Sequence, residues 1–238
     1  AFEAPVWGAH RFHYSSPLSR HGVLCQDSRM PRYVSIDLDG TLTDPFDGIT
    51  RCINYALERL DKPPTSPEDL RRYIGPPLLD TFGELIGDEL APHALELYRE
   101  RFSEVGWLEN IPYEGIHDAL DLLNQDGHEC FVATTKPHIF ATRIVEHFDM
   151  AQYFAGVYGS ELDGTRTDKT ELLAFAQAQR SEVREAVMIG DRHHDMIGAV
   201  NNGLRPVGVT YGYGTSEELR DAGAHAIAAS PAELPDLV

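Results

Sequence analysis

From Tyr33 onward, short apolar runs of strand length alternate with longer stretches of helical spacing, an order that few folds accommodate. Strands are expected over 33–38, 129–134, 155–158, 186–189, 206–210 and 226–228. Helices are expected between the later ones, over 116–125, 138–147, 169–179, 195–202 and 217–222. Asp168 with Glu171, and Thr215 with Glu218, have capping-box spacing at two of those helix starts. The expected fold class is therefore α/β, with a Rossmann-like parallel sheet at its core.

One long interruption breaks the alternation. Residues 44–112 show helical periodicity and no strand, with a helix start at Ser66-Pro67 and helical apolar spacing from Leu90 to Val105. A simple crossover does not need so many residues, so this stretch is expected to be an inserted α-helical cap domain. The core would comprise residues 30–43 and 113–238. Residues 1–29 carry no periodic apolar stripe and are expected to be an N-terminal extension outside the fold, a partner-binding arm being the functional alternative.

Charge and cysteine usage narrow the function. A formal charge of −18 repels polyanions, which excludes a nucleic-acid polymer as partner and means that a small anionic substrate must meet a local cation. Cys25, Cys52 and Cys130 form neither a CxxC pair nor an even disulfide set, as expected for reduced thiols in the cytoplasm. No apolar run has the roughly 18 residues of a membrane span, and polar residues interrupt the first twenty positions where a signal core would lie. A soluble cytoplasmic protein without a membrane partner is the expectation.

In open α/β sheets, function gathers at the carboxyl ends of the strands. The first strand ends in Asp37-Leu38-Asp39-Gly40-Thr41, two carboxylates one residue apart before a sharp turn. The fourth ends in Gly190-Asp191-Arg192-His193-His194-Asp195, two more carboxylates four apart. Such an acid cluster is costly without a cation, and oxygen ligands suit magnesium rather than zinc. His193 and His194 lack a third nitrogen or sulfur ligand at suitable spacing and stay outside the metal set. The second strand ends in Ala133-Thr134-Thr135-Lys136, where a hydroxyl and backbone amides can hold a phosphoryl oxygen. Lys169 and Lys136 compete for the cation's role; the helix start at Asp168 favours Lys169. Nucleophile, acid/base, hydroxyl, cation and metal ligands together form a phosphoryl-transfer inventory.

Within the insertion, Ile74-Gly75-Pro76-Pro77-Leu78 reads equally well as a rigid turn that faces the site and as a plain connection between helices. Arg72, Gly75 and Pro76 are the candidate specificity residues, Arg72 having a solvated reading as well. Phe46, Tyr73 and Phe82 are either stacking partners for a nucleobase or core. Gly212-Tyr213-Gly214 lacks the third glycine of a dinucleotide fingerprint and is expected to be a tight loop.

Asp37 to Thr41, Thr134, Lys169 and Gly190-Asp191 through Asp195 together resemble the four ordered motifs of the haloacid dehalogenase-like hydrolases, over essentially Tyr33 to the C-terminus. The cap position resembles the class with a helical cap between the first two motifs. The stretches RRYIGPPLLDTF, LYRERF, IGDRHHDMIGA and TYGYGTSEEL are similar to the 5'-nucleotidase and phosphoglycolate phosphatase branch. The resemblance implies a magnesium-dependent phosphomonoester hydrolase in which Asp37 becomes an aspartyl-phosphate and Asp39 shuttles the proton. It further implies Mg2+ bound by the Asp37 side chain, the Asp39 backbone carbonyl and Asp191, with Asp195 helping directly or through water, and phosphoryl oxygens held by Thr134 and Lys169. Dehalogenases lack the second aspartate, so Asp39 argues against that chemistry. The expected substrate is a small phosphorylated metabolite, first a nucleoside 5'-monophosphate and second phosphoglycolate. A β-phosphoglucomutase-like mutase and a non-catalytic phosphate-binding scaffold are the further alternatives.

Overall fold

The structure, a computed structural model, describes residues 32–179 and 186–238; the expected extension over 1–29 lies outside the described residues. The first half runs β1 (Tyr33–Ile36), β2 (Thr43–Asp44), α1 (Phe46–Arg59), α2 (Pro67–Leu70), α3 (Leu78–Ile86), α4 (Ala91–Glu104), β3 (Ile111–Pro112) and α5 (Ile116–Gln125). The second runs β4 (Glu129–Pro137), α6 (His138–His147), β5 (Phe154–Ser160), α7 (Lys169–Ala178), β6 (Ala186–Gly190), α8 (His193–Asn201), β7 (Arg205–Val209), α9 (Ser216–Asp221), β8 (Ala226–Ala228) and α10 (Leu234–Leu237).

Six strands form one sheet in the order β5-β4-β1-β6-β7-β8, every neighbouring pair parallel. Val34, Ile36, Val132, Ile189 and Val207 are fully buried, as a strand covered by helices on both faces requires. Ile36 stands opposite both Val132 and Ile189, so the residues after these three strands emerge side by side. From β1 the chain continues to one side of the sheet and then returns to the other, which opens a crevice at the carboxyl end of β1.

The stretch expected to be wholly helical has a short strand at each end. Thr43 pairs with Pro112 and Asp44 with Ile111 in an antiparallel ladder that brings the two ends of this stretch together. Two residues carry no alternation, so this ladder leaves no periodic signal in the sequence. Between its strands, α1 buries Ile49, Cys52, Ile53, Ala56 and Leu57, and α4 buries Ala91, Ala94, Tyr98 and Phe102. Both sets follow the three-and-four spacing of one helix face. Ser66 caps α2 by accepting from the Asp69 N–H at 3.1 Å, with Pro67 at the first helical position. Among the described residues, no helix is long and apolar enough to cross a membrane.

Candidate active site

β1 leaves its ladder at Asp37, whose N–H still donates to the Ile189 carbonyl at 2.9 Å. The chain then turns back at Gly40, where φ is +83°, and the Gly40 N–H donates to the Thr43 carbonyl at 2.8 Å. A Cβ at Gly40 would lie 2.2 Å from Asp191 Oδ2. Gly40→Ala is therefore expected to cost about 2 kcal/mol from the left-handed backbone alone, read as a lower Tm, and to displace Asp191.

The turn and the parallel register bring three buried carboxylates together: Asp37, Asp191 and Asp195 offer oxygens within 4.8 Å of one another. The Lys169 ammonium, itself buried, lies 2.7 Å from Asp195 Oδ1 and 3.1 Å from Asp37 Oδ1, and donates to the Ala133 carbonyl at 2.9 Å. Burial works against its charge, but Asp195 and Asp37 outweigh that and hold Lys169 above the usual lysine value. Asp195 is likewise opposed by burial, yet Lys169 keeps its carboxyl low. Asp37 is pushed up to about 6, chiefly by burial, with Lys169 opposing and Asp195 adding to the rise. Asp191 is raised well above the carboxylate range by burial and then by Asp195 and Asp37.

One ammonium does not balance three carboxylates. Asp191 Oδ2 accepts from the Tyr213 N–H at 2.8 Å, while its buried Oδ1 meets no donor among the described residues. An all-oxygen donor set with an unpartnered buried oxygen fits a hard divalent cation, which would reverse the upward shifts of Asp37 and Asp191. The Gly212-Tyr213-Gly214 loop, expected only to be tight, therefore supplies Asp191 with its donor. No signal in the sequence marks that contact.

Asp39 lies outside this cluster with its side chain: Oδ2 is 2.5 Å from Lys136 Nζ. That ammonium also sits 4.7 Å from the centre of the Phe102 ring, on α4. The two competing lysines thus serve different aspartates, Lys169 the pair Asp37 and Asp195, Lys136 the neighbouring Asp39. Thr134 is buried at the same strand end, where its Oγ1 accepts from the Lys136 N–H at 3.3 Å.

Asp37, Asp39, Thr134 and Lys136 form the floor of a cavity of about 400 Å3. Gly75 and Pro76 line its wall, together with Tyr73, Tyr98, Arg99, Phe102 and Phe140. Arg72 does not line it; its Nη2 donates to the Tyr73 hydroxyl at 2.6 Å beside an outer depression. Phe82 is fully buried against Tyr98, and Phe46 lies beneath the Arg71 guanidinium, so neither aromatic lines the cavity. Of the three aromatic candidates Tyr73 alone lines it, and the rest of the aromatic wall comes from Tyr98 and Phe102 on α4 and Phe140 on α6, whose helical spacing resembles ordinary core. His193 Nδ1 is 2.8 Å from Glu218 Oε1, and burial pushes His194 down to about 4. Neither histidine joins the acidic cluster.

The family model described as haloacid dehalogenase-like hydrolase matches residues 34–209. The chain is 46% identical to a 5'-nucleotidase from Pseudomonas aeruginosa, over 79% of this chain and 88% of that one. It is 37% identical to the tyrosine-protein kinase PtkA of Mycobacterium tuberculosis, over 79% of this chain and 65% of that one. The crystal structure of a predicted phosphatase from Clostridium acetobutylicum superposes with a TM-score of 0.82 at 41% identity, covering 87% of this chain and 98% of that one. The matched residues run from β1 through β7 and so include every carboxylate of the acidic cluster, and the chain belongs to the haloacid dehalogenase-like hydrolases.

Proposed function

We propose that this hydrolase is a magnesium-dependent phosphomonoesterase acting on nucleoside 5'-monophosphates through an aspartyl-phosphate at Asp37. The observation that carries the substrate reading is the cavity above Asp37. At about 400 Å3 it is of ligand size, and Tyr73, Tyr98, Phe102 and Phe140 line it. A nucleobase offers those rings a flat face, whereas a two-carbon glycolate would leave most of the space unfilled. The 5'-nucleotidase relative supports the same choice.

The roles follow from position. An Asp37 oxygen attacks phosphorus and the leaving alkoxide takes its proton from the Asp39 carboxyl on the cavity floor. Asp39 then removes a proton from water as that water attacks the phosphoryl-aspartate, releasing phosphate and restoring Asp37. Thr134 donates to a phosphoryl oxygen, Lys169 holds Asp37 and Asp195 in place, and Lys136 steadies Asp39. The Asp37, Asp191 and Asp195 carboxylates and the Asp39 carbonyl would hold a magnesium ion, which would supply charge neutralisation at the phosphoryl group. Residues 44–112 act as a cap domain, with the β2–β3 ladder as its stem. The buried free thiols Cys52 and Cys130 support a cytoplasmic setting.

A second reading, phosphoglycolate phosphatase, is favoured by Arg99, a cavity-lining cation with no partner among the described residues that would suit a carboxylate. Initial rates with magnesium on nucleoside monophosphates, phosphoglycolate and sugar phosphates separate the two. The expected result is a kcat/KM at least about tenfold higher for a nucleoside monophosphate than for phosphoglycolate. Preference for phosphoglycolate over every nucleotide would replace the first reading with the second.

A further inference from the structure

Arg192 stands in sequence between two carboxylates of the acidic cluster, yet its side chain turns away from them. Nη1 donates to the Ile74 carbonyl at 2.6 Å, and Nε donates to Glu218 Oε1 at 3.1 Å. The Arg192 backbone N–H donates to Asp195 Oδ2 at 3.1 Å. One residue therefore touches the acidic cluster with its main chain and the cavity wall with its side chain.

The wall it touches is a stiff one. Ile74 opens the turn that carries Gly75, Pro76, Pro77 and Leu78 onto the cavity. Two consecutive prolines restrict the backbone, so the position of the Ile74 carbonyl largely sets that of the wall as far as Leu78. Gly75 has φ +108°, and a Cβ there would meet Arg192 Cγ and Nη1 at 3.3 Å, so the guanidinium passes directly against this backbone. Ile74 is itself buried, which leaves its carbonyl dependent on a protein donor.

The far side of the guanidinium is anchored as well. The spacing of Thr215 and Glu218 predicts a reciprocal capping box, but only half of one forms. Thr215 accepts from the Glu218 N–H at 3.1 Å, while the Glu218 carboxylate turns to Arg192 and to the His193 N–H at 3.0 Å. A carboxylate that gives up its own helix start for this contact holds the arginine aimed at Ile74.

We propose that Arg192 is a positioning residue that fixes the Ile74–Leu78 turn over the acidic cluster, setting the fit of the leaving group without touching the reacting atoms. The inference rests on the cavity being the substrate site. Two measurements on the full chain keep the two ideas apart.

The first is amide hydrogen exchange over residues 73–79, which needs no turnover. Arg192→Gln is expected to speed it about tenfold by removing a charge-assisted bond. Glu218→Gln, which leaves the Arg192 bond to Ile74 in place, should speed it less, and it serves in place of Arg192→Gln if that variant does not fold. The second is kinetic. In Arg192→Gln, KM for a nucleoside monophosphate should rise about tenfold while kcat changes less than about twofold, and Arg192→Lys should recover part of the loss. Inhibition by inorganic phosphate, which has no leaving group, should be unchanged. Unaltered exchange in the folded variants overturns the proposal, as does a loss confined to kcat. An unaltered chain that hydrolyses no phosphomonoester overturns the functional reading, and the exchange measurement then still decides the role of Arg192.

Discussion

Asp37→Asn is expected to lower kcat on the order of 10^4-fold or more while leaving the fold in place. The amide is nearly isosteric with the carboxylate but is not an anionic nucleophile, so no phosphoryl-aspartate forms. The fold survives because the bond that seats this residue, its N–H to the Ile189 carbonyl, belongs to the backbone. Lys169 keeps Asp195 at 2.7 Å and Ala133 at 2.9 Å as partners. Removing one of three crowded charges also relieves a carboxyl that burial pushes up to about 6. Phosphate release under saturating magnesium, with circular dichroism and Tm on the same sample, makes the check. Undiminished turnover in the folded variant would sink the assignment of Asp37.

The sheet was legible because parallel strands covered on both faces read as continuous apolar runs, and the intervening helices carry their own spacing. Its ends were less so. β1 stops at Ile36 although the apolar pattern continues through Leu38, since Asp37 must leave the ladder for the turn at Gly40. β4 runs on to Pro137, beyond the last apolar residue, because Pro137 still pairs with Ser160 on β5. The β2–β3 ladder left no trace, since two residues cannot show a period.

The acidic centre was legible for a different reason. Carboxylates at the ends of adjacent parallel strands must converge, so Asp37, Asp191 and Asp195 could be grouped from topology alone. What topology does not give is side-chain direction. Lys136 and Lys169 carry the same charge and stand near the same strand ends. Only the fold assigns Lys136 to Asp39 and Lys169 to the other pair. Long-range partners were equally hidden: Tyr213 to Asp191 and Arg192 to Ile74 join residues 22 and 118 positions apart. The cavity wall suffered most, because Tyr98, Phe102 and Phe140 obey the spacing of a buried helix face whether they bound a cavity or a core.

Asp191→Asn is expected to stabilise the cation-free protein and to remove its stabilisation by magnesium, two effects of opposite sign from one atom. Without a cation, Asp191 is a buried carboxylate facing Asp37 and Asp195, with Oδ1 unpartnered. An asparagine can keep an oxygen acceptor for the Tyr213 N–H and turn an NH2 donor toward the two remaining acids. The gain should be about 2 kcal/mol, or ~4 to 8 °C in Tm. The sign has a pH signature. A carboxyl raised in the folded state holds a proton that the unfolded chain has released. For Asp37 that window runs from 3.8 to about 6, and cation-free stability conferred by this group falls as pH rises across it. Asp191 is raised by burial and by the same two neighbours, so its cost to the folded state also grows as pH rises above the unfolded value, and the advantage of Asp191→Asn should be larger at pH 7 than at pH 4. Magnesium inverts the order. Bound to the native state alone, it stabilises the unaltered protein in proportion to the logarithm of its concentration, and it loses a carboxylate ligand in the variant. Melting curves at both pH values, with and without saturating magnesium, should therefore cross: variant above parent without the cation, parent above variant with it. Parallel curves under all four conditions would mean that Asp191 does not face a cation, and the acidic cluster would then need another counter-charge.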